Sequence, residues 1–136
     1  EADEAVAQLS ASNHPDARDL LEQYPKLRVR YRVSTAVRLV RQNQLDAALG
    51  LLDDVRVDDQ AARLDMVYTR GFVLARLAER AQTGGDLGRA RGHWLAAIAA
   101  LTPELPAART AQRSDLLELY AHLDDELARS EGPGGA

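Results

Sequence analysis

Residues 84–103 read GGDLGRARGHWLAAIAALTP, and this stretch decides the fold class. Its apolar residues recur at intervals of three and four positions: Leu87, Ala90, Trp94, Ala97 and Leu101. This spacing places them on one face of an α-helix. Two glycines and an aspartate precede the helix, and Pro103 follows it, as is typical of helix boundaries. The stretch therefore predicts an amphipathic helix that begins after a tight turn and ends at a proline.

A small residue followed four positions later by a large one occurs at three corresponding places in the chain. The three pairs are Ala17 and Leu21, Ala48 and Leu52, and Ala90 and Trp94. The segments around the last two pairs, residues 42–55 and 84–97, superpose at an offset of 42 residues. Three copies of one pattern predict a repeat of helical hairpins. In each hairpin the small residue allows the two helices to lie close together, and the large residue fills the space beyond it.

Apolar periodicity over the rest of the chain predicts about seven helices and no strand. The apolar stripes of the other helices begin at Ala2, Ala17, Val29, Leu45, Leu64 and Leu116. The helix that contains Ala17 is expected to end before Pro25, because proline lacks a backbone N–H donor. Residues 104–130 are expected to form a capping helix, and the sequence EGPGGA (131–136) a flexible tail. We therefore assign residues 1–130 to one all-α domain.

Composition and charge exclude several classes of protein. The chain has 136 residues, a formal net charge of −4 and no cysteine. The lack of cysteine excludes disulfides, thiolate nucleophiles and the common zinc-finger ligand sets. No apolar run approaches the length of a membrane span, about 18 residues, and no signal-peptide core is visible. We therefore expect a cytoplasmic protein with no membrane association.

Residues with catalytic or metal-binding chemistry are scattered along the chain. Of the three histidines, His122 shares a predicted helical face with Asp115 and Glu118, but a fourth metal ligand is missing. The glycine-rich residues 84–92 match neither the P-loop nor the dinucleotide-binding pattern, and no predicted strand precedes them. We expect no enzymatic activity, no cofactor and no metal site.

The repeated small and large residues resemble those of the tetratricopeptide repeat (TPR) family, whose unit of about 34 residues is a helix–turn–helix. The residues that match the family's motif are Ala36, Leu39, Gly71 and Leu74 in first helices, and Ala90, Trp94, Ala97 and Pro103 in and after a second helix. The resemblance covers residues 1–103. It implies a right-handed α-solenoid of about three TPR-like hairpins, followed by the C-terminal capping helix.

Residues 26–43, KLRVRYRVSTAVRLVRQN, contain six basic residues and no acid, although the chain as a whole is acidic. One interpretation is that these basic residues pair with acids of the same chain. The acids considered are Asp46, Asp53, Asp54, Asp58 and Asp59. The other interpretation is that some of the arginines bind a partner, because the planar guanidinium can hold a carboxylate by two hydrogen bonds.

The resemblance to the TPR family favours partner binding, because the first helices of TPR arrays line a concave groove. Carried over from the family, the groove positions are Arg30, Val33, Val37, Val40 and Arg41 in one repeat and Asp65, Tyr68, Phe72, Ala75 and Arg76 in the next. Arg109 and Arg113 extend this surface from the last helix. The expected partner-binding residues are Arg30, Val33, Val37, Arg41, Tyr68, Phe72, Arg76, Arg109 and Arg113. For Tyr68 and Phe72, together with Met66, the alternative is packing against the preceding hairpin.

We expect a protein–protein interaction module that binds an acidic peptide or protein, as part of a larger regulatory or signalling protein. The first alternative is a domain that associates with itself or inhibits the larger enzyme or regulator to which it belongs. The second alternative is a helical repeat that binds single-stranded nucleic acid, and the arginine-rich helix is its only support. The acidic net charge counts against this second alternative.

Overall fold

The computed structural model describes residues 15–52 and 59–131, including the side chains from residue 27 onward. Over these ranges all regular structure is helical. The helices are α1 (Pro15–Arg41), α2 (Leu45–Leu52), α3 (Gln60–Thr83), α4 (Leu87–Leu101), α5 (Leu105–Thr110) and α6 (Ser114–Ser130), and a 3-10 turn (Thr102–Glu104) joins α4 to α5. The predicted all-α class is therefore confirmed for the described residues.

The central helix of the fold is α3. It packs most extensively along α4, and it also contacts α1, α2 and α6. Because α6 packs on α3, α4 and α5 whereas α1 packs on α2 and α3, the helices α1 and α6 lie at the two ends of the packing order of the described helices. At Gly71 a Cβ atom would lie 3.2 Å from a methyl of Leu119 on α6 and 3.3 Å from a methyl of Leu101 on α4. The missing side chain at this position therefore allows α3 to lie close against both helices.

The small and large residues that define the sequence repeat are core residues in the two copies whose side chains are described. Ala48 and Leu52 on α2 are buried, as are Ala90 and Trp94 on α4, where Trp94 is 1% exposed. Leu87 differs from the expectation, because it is 43% exposed at the first position of α4. Helical spacing predicts the face on which a residue lies, but not whether a neighbouring helix extends far enough to cover it.

Three helices end in the same backbone turn. A residue just beyond α1, α3 and α5 has a left-handed conformation: Asn43 at φ 60°, Gly85 at φ 84° and Gln112 at φ 55°. In each case the following residue donates its backbone N–H to the carbonyl five positions earlier, at 2.8, 2.9 and 2.9 Å. This pair of features is the Schellman motif, which satisfies carbonyls at a helix C-terminus. Asn43 and Gly85 are 42 residues apart, so the first two turns occupy equivalent positions in the superposed segments of the sequence repeat.

Gly85→Ala is expected to lower the free energy of unfolding by about 1 kcal/mol, because the left-handed region is unfavourable for a residue with a Cβ atom. No atom lies within 4 Å of the Cβ that would be added at Gly85, so backbone conformation alone determines the effect. Gln112→Gly is expected to act in the opposite direction and to stabilise the fold by about 0.5–1 kcal/mol. Urea denaturation of both variants measures the two changes, and equal signs would contradict the assigned turn geometry.

Two predicted helix boundaries are wrong. The break before Pro25 is absent, since α1 runs from Pro15 to Arg41 without interruption. A proline inside a helix removes one hydrogen bond and costs about 3 kcal/mol, which the remaining turns of a 27-residue helix can outweigh. The predicted capping helix 104–130 consists of α5 and α6, because Gln112 turns the chain between them.

Some predictions fall partly or wholly outside the described residues. These include the apolar stripe that begins at Ala2, three of the acids considered as ion-pair partners (Asp53, Asp54 and Asp58), and residues 132–136 of the predicted tail. In the described part of the chain, consecutive helices pack most extensively within two pairs, α1 with α2 and α3 with α4. No helix of this part has the length and apolar character required to cross a lipid bilayer.

Candidate functional site

The helices α1 and α3 line a groove with two hollows, here called the α1–α3 groove. Hollow A has a volume of about 330 Å³, and the residues of interest around it are Arg30, Val33, Asp59 and Asp65. Hollow B has a volume of about 780 Å³, and the residues of interest around it are Val37, Val40, Arg41, Phe72, Arg76 and Arg80. In both helices the residue numbers increase from hollow A to hollow B, so α1 and α3 run in the same direction along the groove.

The structure brings six of the nine expected partner-binding residues to this groove. Val37, Arg41, Phe72 and Arg76 line hollow B, and Arg30 and Val33 line hollow A. Tyr68 lines neither hollow, but it is half-buried and stacks on Phe72. Arg109 is exposed on α5, and Arg113 lies in the turn before α6.

The aromatic residues of α3 form a continuous column with an arginine. The rings of Tyr68 and Phe72 are 6.4 Å apart between centroids and inclined by 22°. The guanidinium carbon of Arg76 lies 5.3 Å from the centre of the Phe72 ring, a cation–π distance. Met66 is buried in the core, whereas Tyr68 and Phe72 are half-buried. The column therefore contributes to packing while Phe72 and Arg76 also line the groove.

The rim of hollow B is rich in arginine. Arg41 makes no ion pair with an acid of the described residues, whereas Arg76 lies 3.6 Å from Glu79. Arg80 donates to the backbone carbonyl of Asn43 at 3.3 Å and to its Oδ1 atom at 3.4 Å. Sequence reasoning missed Arg80, although it follows Arg76 by one helical turn and could have been found by extending the arginine spacing. Three guanidinium groups and one carboxylate therefore surround an apolar floor.

Arg113 has its hydrogen bonds and charge satisfied within the protein. Its guanidinium lies 2.8 Å from Asp65 on α3 and 3.0 Å from Asp115 at the start of α6, and its side chain is 23% exposed. The hydrogen bond with Asp115 raises the pKa of Arg113, and the same bond lowers the pKa of Asp115. The structure therefore places Arg113 as a link between α3 and α6, and it places a cation beside the Asp65 carboxylate of hollow A.

The proposed pairing of the α1 arginines with acids of the chain receives limited support. Arg32 donates to the backbone carbonyl of Leu51 at 3.1 Å, so it contributes to the packing of α2 on α1. No acid in residues 27–52 or 59–131 forms an ion pair with Arg28, Arg30 or Arg38, and the same is true of Arg41.

No group of three or more His, Cys, Asp or Glu residues in the described ranges has an arrangement that could hold a metal ion.

With this geometry established, the chain was compared with known proteins. It matches no protein-family model, no curated protein and no solved structure. The charges and apolar residues of the α1–α3 groove therefore carry the functional inference.

Proposed function

We propose that this chain is a protein-interaction module, and that it binds a carboxylate-bearing peptide or protein segment in the α1–α3 groove. The observation that carries the proposal is the composition of hollow B. Its apolar floor is formed by Val37, Val40 and Phe72, and its rim carries Arg41, Arg76 and Arg80. An apolar side chain of the partner can be buried on the floor while a neighbouring carboxylate is bound by a guanidinium at the rim.

The energetics favour a carboxylate near Arg41. A hydrogen bond to a charged group contributes about 1.5–3 kcal/mol when its partner is held in place. Arg41 is exposed and makes no ion pair with the described acids, so no existing interaction must be broken when the carboxylate binds. Arg76 is already oriented by its contact with the Phe72 ring, which lowers the entropy lost on binding.

We further infer that the two packed helix pairs are TPR-like hairpins in a right-handed solenoid. Three features support this inference: α1 and α3 run in the same direction, the turns at Asn43 and Gly85 stand in the same register, and Ala48 and Ala90 are both buried beside a large residue. In such a solenoid α1 and α3 are the first helices of successive repeats. A module of this kind suits a binding role in a larger regulatory protein rather than a catalytic one.

The proposal predicts that peptides selected from a random display library on the parent protein are enriched in Asp and Glu. The Arg30→Ala/Arg41→Ala variant is expected to bind the selected peptides at least about tenfold more weakly, because a lost charge-assisted hydrogen bond is worth about 1.5 kcal/mol or more. Isothermal titration calorimetry with one selected peptide, and with its Asn/Gln counterpart, measures both effects.

The matched control is Arg28→Ala/Arg38→Ala, which removes the same charge from the same helix at residues that line neither hollow. This control variant is expected to bind the peptide with unchanged affinity, and all variants are expected to unfold at the parent's urea midpoint. Selected peptides without acids, or equal losses in the two double variants, would overturn the proposed site. A preference for single-stranded oligonucleotides over acidic peptides would favour the nucleic-acid alternative.

A further inference from the structure

A second exposed surface of α1 contains large apolar side chains that line neither hollow. Leu27 and Tyr31 are 45% and 47% exposed, and they are two of the five large apolar side chains that are exposed in the described residues. Arg38 continues the same helical face seven residues after Tyr31, and Arg28 flanks it; neither arginine lines a hollow. This α1 outer face, defined by Leu27, Arg28, Tyr31 and Arg38, therefore carries two large apolar side chains and two arginines.

The outward surface of α6 has the opposite charge. Leu116 and Leu123 are fully buried on the inner side of this helix. Glu118, Ala121, His122 and Asp125 lie on the other side, at intervals of three and four residues, and all four are exposed. Glu118 and Asp125 make no ion pair with a base of the described residues. This α6 outer face therefore carries two unpaired carboxylates, with Ala121 and His122 between them.

We propose that the α6 outer face of one copy of this chain docks on the α1 outer face of a second copy. The unpaired carboxylates of α6 meet the unpaired arginines of α1, so each set of charges gains an oppositely charged neighbour. The small side chain of Ala121, beside His122 and between the two acids, leaves space for a large side chain such as Tyr31. Docking of α1 on α1 is disfavoured instead, because it would place arginines opposite arginines.

The position of the two faces determines the type of assembly. Since α1 and α6 lie at the two ends of the packing order of the described helices, a contact at one of the two faces leaves the other face of the same copy uncovered by the described residues. An interface between two different surfaces is heterologous, and it continues into an open chain unless its rotation closes a ring. Leu27, Arg28, Tyr31 and Arg38 line neither hollow, so the contact is formed by residues other than those of the proposed peptide site.

Sedimentation velocity of the parent protein tests this inference. At low ionic strength, about 20 mM NaCl, the weight-average mass is expected to rise with protein concentration and to pass the mass of two chains without a plateau. At about 500 mM NaCl the mass of one chain is expected, because salt screens the exposed charges. A single-chain mass at every concentration in low salt would overturn the inference, and so would a plateau at two chains.

Charge reversal on the two faces separates this contact from unspecific attraction. Arg28→Glu/Arg38→Glu makes both faces acidic, and Glu118→Lys/Asp125→Lys makes both basic, so each variant alone is expected to remain a single chain. An equimolar mixture of the two variants is expected to associate, because every contact then joins an acidic face to a basic one.

Tyr31→Ala, which leaves all charges unchanged, is expected to weaken association at least about threefold through lost apolar contact. Association of either reversed variant alone, or none in the mixture, would contradict the proposed pairing.

Discussion

Trp94→Ala is expected to lower the free energy of unfolding by about 3–5 kcal/mol, the range for truncation of a large aromatic residue in a core. Trp94 is 1% exposed and is the largest of the fully buried side chains, so its removal leaves a cavity that the helices cannot fill without moving. A stability of about 5–15 kcal/mol is usual for a domain, so this single change removes a large fraction of it. Urea denaturation followed by far-ultraviolet circular dichroism measures the loss.

Leu95→Ala is the matched control for Trp94→Ala. Leu95 is the next residue on α4, and it is 51% exposed. Its truncation is expected to change the free energy of unfolding by less than about 0.5 kcal/mol, as is usual at the surface. Similar losses in the two variants would mean that α4 does not present its Trp94 side to the core.

Leu101→Ala is expected to lower the free energy of unfolding by about 2–5 kcal/mol, because Leu101 is fully buried between α4 and α3. Its two methyl groups, together with a methyl of Leu119, are the atoms that a Cβ at Gly71 would approach, and they lie at 3.3 and 3.4 Å. Gly71→Ala alone is expected to destabilise, because overpacking of about 1–3 kcal/mol exceeds a gain of about 1 kcal/mol in helix propensity.

The two substitutions at Gly71 and Leu101 are expected to be non-additive. In the double variant the added Cβ occupies space left by the missing leucine methyls, so the combined loss should be smaller than the sum by at least about 0.5 kcal/mol. Gly50→Ala is the matched control, because no atom lies within 4 Å of the Cβ it would add on α2. That substitution should stabilise by up to about 1 kcal/mol and add independently to Leu101→Ala. Full additivity at Gly71 would contradict the close approach of α3 and α4.

The sequence predicted the features that depend on local periodicity. The burial of Ala90 and Trp94 follows from helical spacing, and the common register of the turns at Asn43 and Gly85 follows from the superposition of the two segments around them. The predicted boundary at Pro25 is wrong because one missing hydrogen bond does not by itself end a long helix. Whether the helix continues depends on the cost of the proline relative to the stabilisation from all the other turns, and a local sequence pattern does not contain that comparison.

The candidate site was predicted less completely, because side-chain partners depend on tertiary packing. Arg41 and Arg113 are both arginines at expected binding positions, yet Arg41 lies at the rim of hollow B whereas Arg113 is held by Asp65 and Asp115. Asp65 precedes Arg113 by 48 residues, so no sequence pattern could indicate the pair. The position of Arg80 follows from the arginine spacing on α3, but its partner Asn43 lies in the turn between α1 and α2, which that spacing does not indicate.

The burial of Trp94 has a consequence for spectroscopy. It is the only tryptophan in the chain, and four tyrosines accompany it. Its indole is buried in the hydrophobic core, so its fluorescence emission reports on the packing around α4 without an attached dye. Phe72 lines the groove from α3, whereas Trp94 lies on α4, so emission from the indole monitors the integrity of the core while a ligand is titrated into the groove. Trp94 is thus an intrinsic fluorescence probe that shows whether the protein stays folded during the binding experiments proposed for its surface.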